Sequence, residues 1–229
     1  MASPPPPSSH TLGLSDLPVV ETFHSLQGEG AHAGRSAFFI RLAGCSVGCP
    51  WCDTKHSWPA LSHPQRPLAE LVVEVTAAAA AGAGFVVITG GEPLEHQLDA
   101  LCAALAAAGL PLHLETSGVN ALSGRFDWIT LSPKPHRPPT SELLVHCDEL
   151  KVVVHGPADL DFALAMAAAA TARPVRDSAV GMPGQPPGPL LLLQPGYDCP
   201  EGQQLAVAFV QARPDWRLSL QTHKWLGVR

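Results

Sequence analysis

The sequence has few aromatic and charged residues and lacks a long hydrophobic run. Phe, Trp and Tyr make up 6% of the 229 residues, and Asp, Glu, Lys and Arg make up 15%. Hydrophobic residues nevertheless reach 46%, which is typical of a globular protein and excludes a largely disordered one. No apolar stretch approaches the roughly 20 residues that a membrane-spanning helix needs. We therefore expect one sizeable globular domain without a membrane segment.

Basic residues are also scarce, because 14 Lys and Arg are set against 20 Asp and Glu and the net charge is -6. This balance argues against a general surface for nucleic acids or anionic membranes, although it allows a local basic pocket. Residues 1–16 are rich in Pro and Ser and lack the basic and then apolar segments of a signal peptide. The sequence predicts a disordered tail over 1–16, an ordered domain over 17–229 and a cytoplasmic location, where cysteines are more often metal ligands than disulfides.

Half of the six cysteines fall in one loop, with the spacing Cys45-x3-Cys49-x2-Cys52. Three thiols so close in sequence can converge only if the backbone folds back, and the loop contains the glycines and the proline that such a turn needs. An iron-sulfur cluster held by three thiolates has one iron free to bind a small molecule, whereas a cluster that only carries electrons usually has four protein ligands. The spacing favours such a cluster.

Two other interpretations of this loop stay open on its spacing alone. One is a zinc knuckle completed by His56 or Asp53, and the other is three ordinary buried cysteines. The remaining Cys102, Cys147 and Cys199 are scattered, which is typical of small core residues or free thiols.

Strands and helices alternate along the ordered part of the chain, which predicts an α/β fold. Residues 171–189 are rich in Pro, Gly and Ala without periodicity and predict a flexible insertion. The predicted strands are 17–23, 37–42, 85–89, 112–116, 128–131, 150–154, 190–194 and 217–221, and the predicted helices are 67–81, 94–105, 158–170 and 201–211.

Polar or glycine-rich segments follow six of these strands at the point where each strand ends. In a parallel β/α barrel those ends share one face, where active sites are built. Packing alone does not explain such a concentration, so the pattern indicates an enzyme. The segments are the cysteine loop, 89–93, 115–118, 132–134, 194–195 and 221–224.

Two further side chains point to a ligand. Glu29 lies between two glycines that allow the backbone to come close to a bound group, although a solvated turn is an equal alternative on local sequence. Arg41 interrupts an apolar strand, and a buried guanidinium needs an anion, either a protein carboxylate or that of a substrate.

These motifs together resemble a known family. The three-cysteine loop followed by Gly90-Gly91-Glu92-Pro93 resembles the radical S-adenosylmethionine (SAM) superfamily. Within that superfamily, Leu26-Gln27-Gly28-Glu29-Gly30, Cys52-Asp53-Thr54, Ser132-Pro133-Lys134 and Gln221-Thr222-His223-Lys224 are similar to the 7-carboxy-7-deazaguanine synthase family. The motifs extend over nearly all of the ordered chain.

The resemblance implies a homodimer with a partial, modified radical SAM barrel that acts as a carbon-nitrogen lyase in queuosine or other 7-deazapurine biosynthesis. Its cofactors would be a 4Fe-4S cluster, SAM and Mg²⁺, and a one-electron donor such as flavodoxin or ferredoxin would reduce it. The implied reaction is the ring contraction of 6-carboxy-5,6,7,8-tetrahydropterin to 7-carboxy-7-deazaguanine, with loss of ammonia. A 5'-deoxyadenosyl radical would abstract the hydrogen at C6.

The resemblance also assigns roles to individual residues. Cys45, Cys49 and Cys52 would hold the cluster, and Thr54 would bind Mg²⁺. SAM contacts are implied for Trp51, Cys52, Asp53, Gly91, Glu92, Ser117, Ser132, Pro133, Lys134, Gln194, Pro195, Gly196 and Tyr197. Substrate contacts are implied for Leu26, Gln27, Gly28, Glu29, Arg41, Thr89, His223 and Arg229.

The sequence departs from the family pattern at Arg229, where the family commonly has a terminal proline, and at the insertion over 171–189. Two other functions would share the cysteine spacing. A glycyl-radical-activating enzyme would not require the 26–30 or 221–224 motifs, and a non-catalytic zinc or electron-transfer module would leave the strand-end motifs without a purpose.

Overall fold

A computed structural model describes residues 16–170 and 188–229. The predicted tail over 1–16 and the predicted insertion over 171–189 lie almost entirely outside these ranges. Within them the chain forms one twisted sheet of nine strands, with helices along one face. No helix in the described ranges is long and apolar enough to cross a membrane.

Seven of the strands run parallel, and two antiparallel strands extend the sheet at one edge. Their order across the sheet is β3-β1-β2-β4-β5-β6-β7-β8-β9. The first and last strands of this order do not pair with each other, so the fold is an open, partial barrel. The strands are β1 (Leu17–Leu26), β2 (Ser36–Leu42), β3 (Gln65–Arg66), β4 (Val86–Gly90), β5 (Leu112–Thr116), β6 (Trp128–Leu131), β7 (Glu149–Val154), β8 (Leu190–Pro195) and β9 (Trp216–Leu218).

Helices lie in most connections between successive parallel strands, as the alternating pattern predicts, whereas the described connection from β5 to β6 has none. They are α1 (Leu68–Ala80), α2 (Asp99–Leu105), α3 (Ser141–His146), α4 (Pro157–Ala170) and α5 (Pro200–Ala212), followed by the short α6 (Thr222–Leu226). Their apolar stripes cover one face of the sheet and form the main core with alternate strand residues such as Val86 and Ile88. The other face is left as the concave interior of the partial barrel.

On each strand, the residues that alternate with the core-facing ones point into that concave interior. Phe85 and Val87 pack there with Phe39, apart from the main core. Because side chains alternate, the same face of β7 carries Glu149 and Lys151, which are only 1% and 3% exposed. Polar side chains on this face are therefore buried inside the partial barrel rather than solvated.

Aromatic and imidazole rings close the interior at the amino ends of β5 and β6. His113 stacks on Phe85 at 4.2 Å between ring centroids, and His32 contacts both His113 at 4.7 Å and Trp128 at 4.6 Å. Burial, with the charges of His32 and Arg35, lowers the pKa of His113 to about 3. The imidazole therefore stays neutral at physiological pH and packs as an aromatic ring.

The structure corrects several predicted elements. Residues 94–98 do not form the first turn of a helix, because Pro93–Glu95 is a 3-10 turn capped by the Glu92 side chain and α2 begins at Asp99. The last strand is Trp216–Leu218 instead of 217–221. Helices α3 and α6, six and five residues long, were not predicted, since such short helices show little periodicity.

Candidate active site

The carboxyl ends of the parallel strands open into a cavity of ≈ 530 Å³, a size typical of small-molecule sites. Nearly every residue predicted to contact a cofactor or substrate lines it, and Pro133 is the exception among them. The predicted residues along its wall are Leu26, Gln27, Gly28, Glu29, Arg41, Cys45, Cys49, Trp51, Cys52, Asp53, Thr54, Thr89, Gly91, Glu92, Ser117, Ser132, Lys134, Gln194, Pro195, Gly196, Tyr197, His223 and Arg229.

The cysteine loop is held in place by backbone hydrogen bonds at its start. Gly44 has a φ of +105°, which favours glycine, and its N-H donates to Ser57 O at 2.8 Å while its carbonyl accepts from Glu92 N at 2.7 Å. Further along, Ser46 N donates to Glu95 Oε1 at 2.6 Å, and Arg137 Nη1 donates to Ser46 O at 2.5 Å. The loop therefore keeps its shape through contacts with separate parts of the fold.

The three cysteines of the loop line the same cavity. Among the described residues, no three Cys, His, Asp or Glu side chains converge closely enough to hold one metal ion. A zinc site needs its ligands within about 2.0–2.3 Å of one centre, whereas the thiolates of an iron-sulfur cluster bind different irons. Among the described residues, His56 and Asp53 therefore do not form a ready-made single-ion site with the three cysteines.

The surroundings of the thiols raise two of their pKa values, so the binding of a cluster must change their protonation. Burial raises the pKa of the Cys45 thiol above its ordinary value. Burial also raises the pKa of Cys49, an effect that the positive charge of Lys134 opposes. Thiols with raised pKa values are protonated at neutral pH, so ligation must release their protons.

Gly91 and Glu92 connect this loop to the sheet. A Cβ on Gly91 would overlap the Gly44 carbonyl and lie 3.0 Å from Cys45 Cβ, so this position has room for glycine alone. Glu92 is 1% exposed, and its carboxylate accepts bonds from Leu94 N, the Thr116 hydroxyl, and both the N-H and the hydroxyl of Ser117. Glu92 thus joins the ends of β4 and β5 beside the cysteine loop.

Trp51 and Asp53 extend the loop toward the β7 and β8 side of the cavity. The Trp51 ring packs against His155 at 4.8 Å between ring centroids. Lys224 forms an ion pair with Asp53 Oδ2 at 2.9 Å and lies 4.0 Å from the centre of the Tyr197 ring. The 221–224 motif therefore packs against the cysteine loop although some 170 residues separate them in sequence.

Hydrogen-bond acceptors are concentrated on another wall of the cavity. Glu29 Oε2 accepts from Lys151 Nζ at 2.5 Å and Glu29 Oε1 accepts from Gln221 Nε2 at 2.8 Å. Beside them, Gln27 Nε2 donates to Glu115 Oε1 at 2.8 Å. The Glu29 side chain is only 17% exposed, so the alternative of a solvated turn is wrong.

Arg41 lies on the β1 and β2 side of the cavity. Its Nε donates to Glu21 Oε1 at 3.0 Å, and Arg229 Nη2 lies 3.2 Å from Glu21 Oε2. Both guanidinium groups lie near the Phe23 ring, at 5.9 and 5.7 Å from its centre. Arg41 therefore has a protein carboxylate as its partner, the first of the two alternatives, and also lines the cavity.

Several side chains of the site are absent from the sequence prediction. Lys151 lines the cavity, Glu149 accepts from the backbone of Ala31, and Gln221 binds Glu29. Glu115 begins the predicted 115–118 segment but has no individual role in the prediction. The signal for Lys151 and Glu149 is their alternation with apolar residues on β7, which places charged side chains inside a buried sheet. Gln221 stands in a quoted motif, but its side chain was given no role.

The fold and the three-cysteine loop define a radical SAM enzyme, and the family model described as "Radical SAM superfamily" matches residues 39–190. The 7-carboxy-7-deazaguanine synthase of Prochlorococcus marinus is 51% identical, with 93% of this chain and 98% of that protein covered. The Escherichia coli K12 enzyme of that name is 33% identical over 92% and 98% of the two chains. This chain belongs to the 7-carboxy-7-deazaguanine synthase family.

A solved structure agrees with this membership. The crystal structure of QueE from Escherichia coli matches with a TM-score of 0.70 and 31% identity, over 90% of this chain and 93% of that one. The expected partial, modified radical SAM barrel is confirmed. Membership of the family implies a 4Fe-4S cluster and SAM as cofactors, as the motifs predicted.

Proposed function

We propose that this enzyme converts 6-carboxy-5,6,7,8-tetrahydropterin to 7-carboxy-7-deazaguanine with loss of ammonia, a step in queuosine or other 7-deazapurine biosynthesis. One observation carries the proposal. The same ≈ 530 Å³ cavity is lined by the three thiols, by an acceptor wall at Glu29 and Glu115, and by the guanidinium of Arg41. Those groups match a radical cofactor, a ring with several N-H groups and a carboxylate.

Cys45, Cys49 and Cys52 would hold the 4Fe-4S cluster. When the cluster and SAM are bound, they supply a 5'-deoxyadenosyl radical that can abstract a hydrogen atom from the substrate. Gly91 lines the cavity beside the cysteine loop and would contact the methionine part of SAM, and the half-buried Lys134 ammonium adds positive charge beside the Cys49 thiolate. Ser132 holds that ammonium through its carbonyl at 2.8 Å and its hydroxyl at 2.7 Å.

The two ends of the substrate would bind to walls of opposite charge. Glu29 and Glu115 provide acceptors for the N-H groups of the pterin ring, while Arg41 binds the substrate carboxylate. Because Arg41 uses Nε for Glu21, a bidentate pair with the substrate would use its terminal nitrogens. Opposite charges at the two walls give the substrate one preferred orientation.

Thr54 would contribute an oxygen to a Mg²⁺ ion shared with the substrate, consistent with the preference of this ion for oxygen ligands. Thr54 Oγ1 lies 3.6 Å from the Cys52 thiol and its residue lines the cavity. The ion would therefore lie between the cluster loop and the substrate. Stimulation of turnover by Mg²⁺ that is lost in Thr54→Ala would support this assignment.

The test of the function is an anaerobic reaction of the reconstituted protein with SAM, a chemical reductant, Mg²⁺ and the carboxytetrahydropterin. Mass spectrometry is expected to detect 7-carboxy-7-deazaguanine and 5'-deoxyadenosine. SAM cleavage without the deazaguanine would refute the substrate and leave the enzyme class intact. A colourless protein with stoichiometric zinc would refute both.

We propose in addition that the enzyme works in the cytoplasm as a homodimer and receives its electron from flavodoxin or ferredoxin. Exposed apolar side chains at the end of the described chain support an interface, since Trp225 and Leu226 are 84% and 62% exposed. Light scattering would measure the oligomeric state, and Trp225→Ser is expected to weaken the dimer.

A further inference from the structure

Lys151 occupies a position between three acidic side chains on the floor of the cavity. Its Nζ donates to Glu29 Oε2 at 2.5 Å and lies 3.9 Å from Glu115 Oε2. The side chain is only 4% exposed, although it lines the cavity. A buried ammonium is costly unless it is paired and hydrogen-bonded, so its place in the site requires an explanation.

The charges in this group depend on one another. Burial alone would lower the pKa of Lys151, but the carboxylates of Glu115, Glu29 and Glu149 raise it above its ordinary value. Burial alone would likewise raise the pKa of Glu29, but the charge and hydrogen bond of Lys151 lower it to about 2. Lys151 therefore keeps its proton, which suits a fixed cation better than an acid catalyst.

Strand β7 holds the glycine-rich loop before β2 at two points. Lys151 binds the Glu29 side chain, and Glu149 Oε2 accepts from Ala31 N at 2.8 Å. Gly30 is required there, because a Cβ would overlap the Glu149 carboxylate. Within the described residues the other oxygen, Glu149 Oε1, is buried without a hydrogen-bond partner. Glu149 therefore holds the backbone of the loop through one oxygen, while Lys151 holds the Glu29 side chain.

We propose that Lys151 is a positioning residue of the active site, which orients the carboxylates of Glu29 and Glu115 as acceptors for the N-H groups of the substrate ring. The inference rests on the proposed function, because Glu29 is assigned there to the substrate. Without the ammonium, the largely buried Glu29 carboxylate would lose its charge partner, so its pKa would rise and it would take up a proton more readily. The O-H of a protonated carboxyl would then face the N-H groups of the ring, and two donors cannot form a hydrogen bond with each other.

The first test measures anaerobic binding of the carboxytetrahydropterin and of SAM to the cluster-loaded enzyme without reductant, so that no turnover occurs. In Lys151→Met the pterin Kd is expected to rise about tenfold to a hundredfold, while the SAM Kd stays within about twofold. Lys151→Arg, which keeps the charge, is expected to recover most of the lost affinity. Arg66→Met, which removes a cation 2.6 Å from Glu74 outside the cavity, should leave both affinities unchanged.

The pH dependence separates positioning from a general structural role. In wild type, pterin binding should not change between about pH 5 and pH 8 through Glu29, since this carboxyl stays ionised there. In Lys151→Met the Glu29 pKa rises, although the charge of His223 still opposes the rise, so pterin binding should weaken relative to wild type as the pH falls through that range. A flat profile in Lys151→Met, or an equal loss of SAM and pterin affinity, would overturn the proposal.

A second test needs no pterin and applies even if the proposed substrate is wrong. Thermal unfolding of the cluster-loaded Lys151→Met enzyme is expected to show a larger loss of stability at pH 8 than at pH 5, because Glu29 must then be charged without its partner. Glu29→Gln added to Lys151→Met should restore part of the Tm at pH 8. Additive effects of the two substitutions that do not depend on pH would refute the role of Lys151, whereas failure of wild type to bind the pterin would refute the proposed function alone.

Discussion

Replacement of Glu92 by Gln tests how the end of β4 supports the cysteine loop. The Glu92 carboxylate is buried and accepts four hydrogen bonds, two at each oxygen, from Leu94 N at 3.1 Å, Thr116 Oγ1 at 2.5 Å, Ser117 N at 2.8 Å and Ser117 Oγ at 2.5 Å. A glutamine has one acceptor oxygen, and its amide group would face two donors in either orientation. A hydroxyl can rotate to accept from that amide, but a backbone N-H cannot.

The expected loss of stability follows from the number of hydrogen bonds that Glu92→Gln changes. One buried N-H loses its acceptor, at a cost of about 1–3 kcal/mol, and the remaining bonds become neutral and weaker by some tenths to about 1 kcal/mol each. Since an amide is less costly to bury than a carboxylate, we expect a net loss of about 2–4 kcal/mol in unfolding free energy. For a chain of this size, that loss lowers the Tm by about 5–15 °C.

The assay is thermal unfolding of the cluster-loaded enzyme, followed anaerobically by circular dichroism. Glu95→Gln is the matched control, because Glu95 is exposed and accepts one bond, from Ser46 N, which a glutamine oxygen can still accept. The control should change the stability by less than about 0.5 kcal/mol. A Glu92→Gln enzyme whose Tm lies within about 2 °C of wild type would refute the reasoning, since even 1 kcal/mol moves the Tm by that much.

Three further predictions concern other parts of the site. Gly91→Ala should lower cluster incorporation severalfold, measured by iron and sulfide analysis, because its methyl group would overlap the Gly44 carbonyl next to Cys45, and full incorporation would show that the loop can move aside. Arg41→Ala should weaken pterin binding more than SAM binding, by about 1.5–3 kcal/mol, whereas equal weakening would make Arg41 only the partner of Glu21. The pKa of His113 falls from 6.5 to about 3 through burial, so unfolding takes up a proton and stability is lost as the pH falls below about 6.5. His113→Phe should therefore reduce the decline of Tm between pH 6.5 and pH 4, and an unchanged decline would contradict a buried neutral imidazole.

Much of the site could be predicted because its motifs are contiguous and lie at strand ends. The cysteine loop and the Gly90-Gly91-Glu92-Pro93 segment each specify their local shape, and a parallel sheet brings such segments to one face. Lys151 was not predicted because its strand was assigned from its apolar residues. A residue-by-residue alternation of Glu149 and Lys151 with leucine and valine was the signal, and it places charge inside the partial barrel.

Local patterns also failed where distant contacts decide the structure. The apolar spacing of Leu94 and Leu98 predicts a helix, but Leu98 N donates to Ser123 Oγ at 3.1 Å and the helix begins one residue later. Arg41 could be placed near an anion from its sequence context, but its partner Glu21 depends on the register of β1 with β2. Contacts between residues distant in sequence depend on tertiary packing and strand register, which cannot be predicted from a local sequence pattern.

The contacts that Ser25 and Gly28 make with the end of the chain have a consequence for the order in which the site assembles. Ser25 Oγ donates to Arg229 O at 2.7 Å, and Thr222 N donates to Gly28 O at 2.9 Å, across about 200 residues of sequence. The cysteine loop, Glu92 and the β5 end, by contrast, lie within a segment of some 75 residues. Since contacts distant in sequence form late, the cysteine loop and its contacts with Glu92 and the β5 end should form early, whereas the contacts of Ser25 and Gly28 must wait until residues 222–229 have been made.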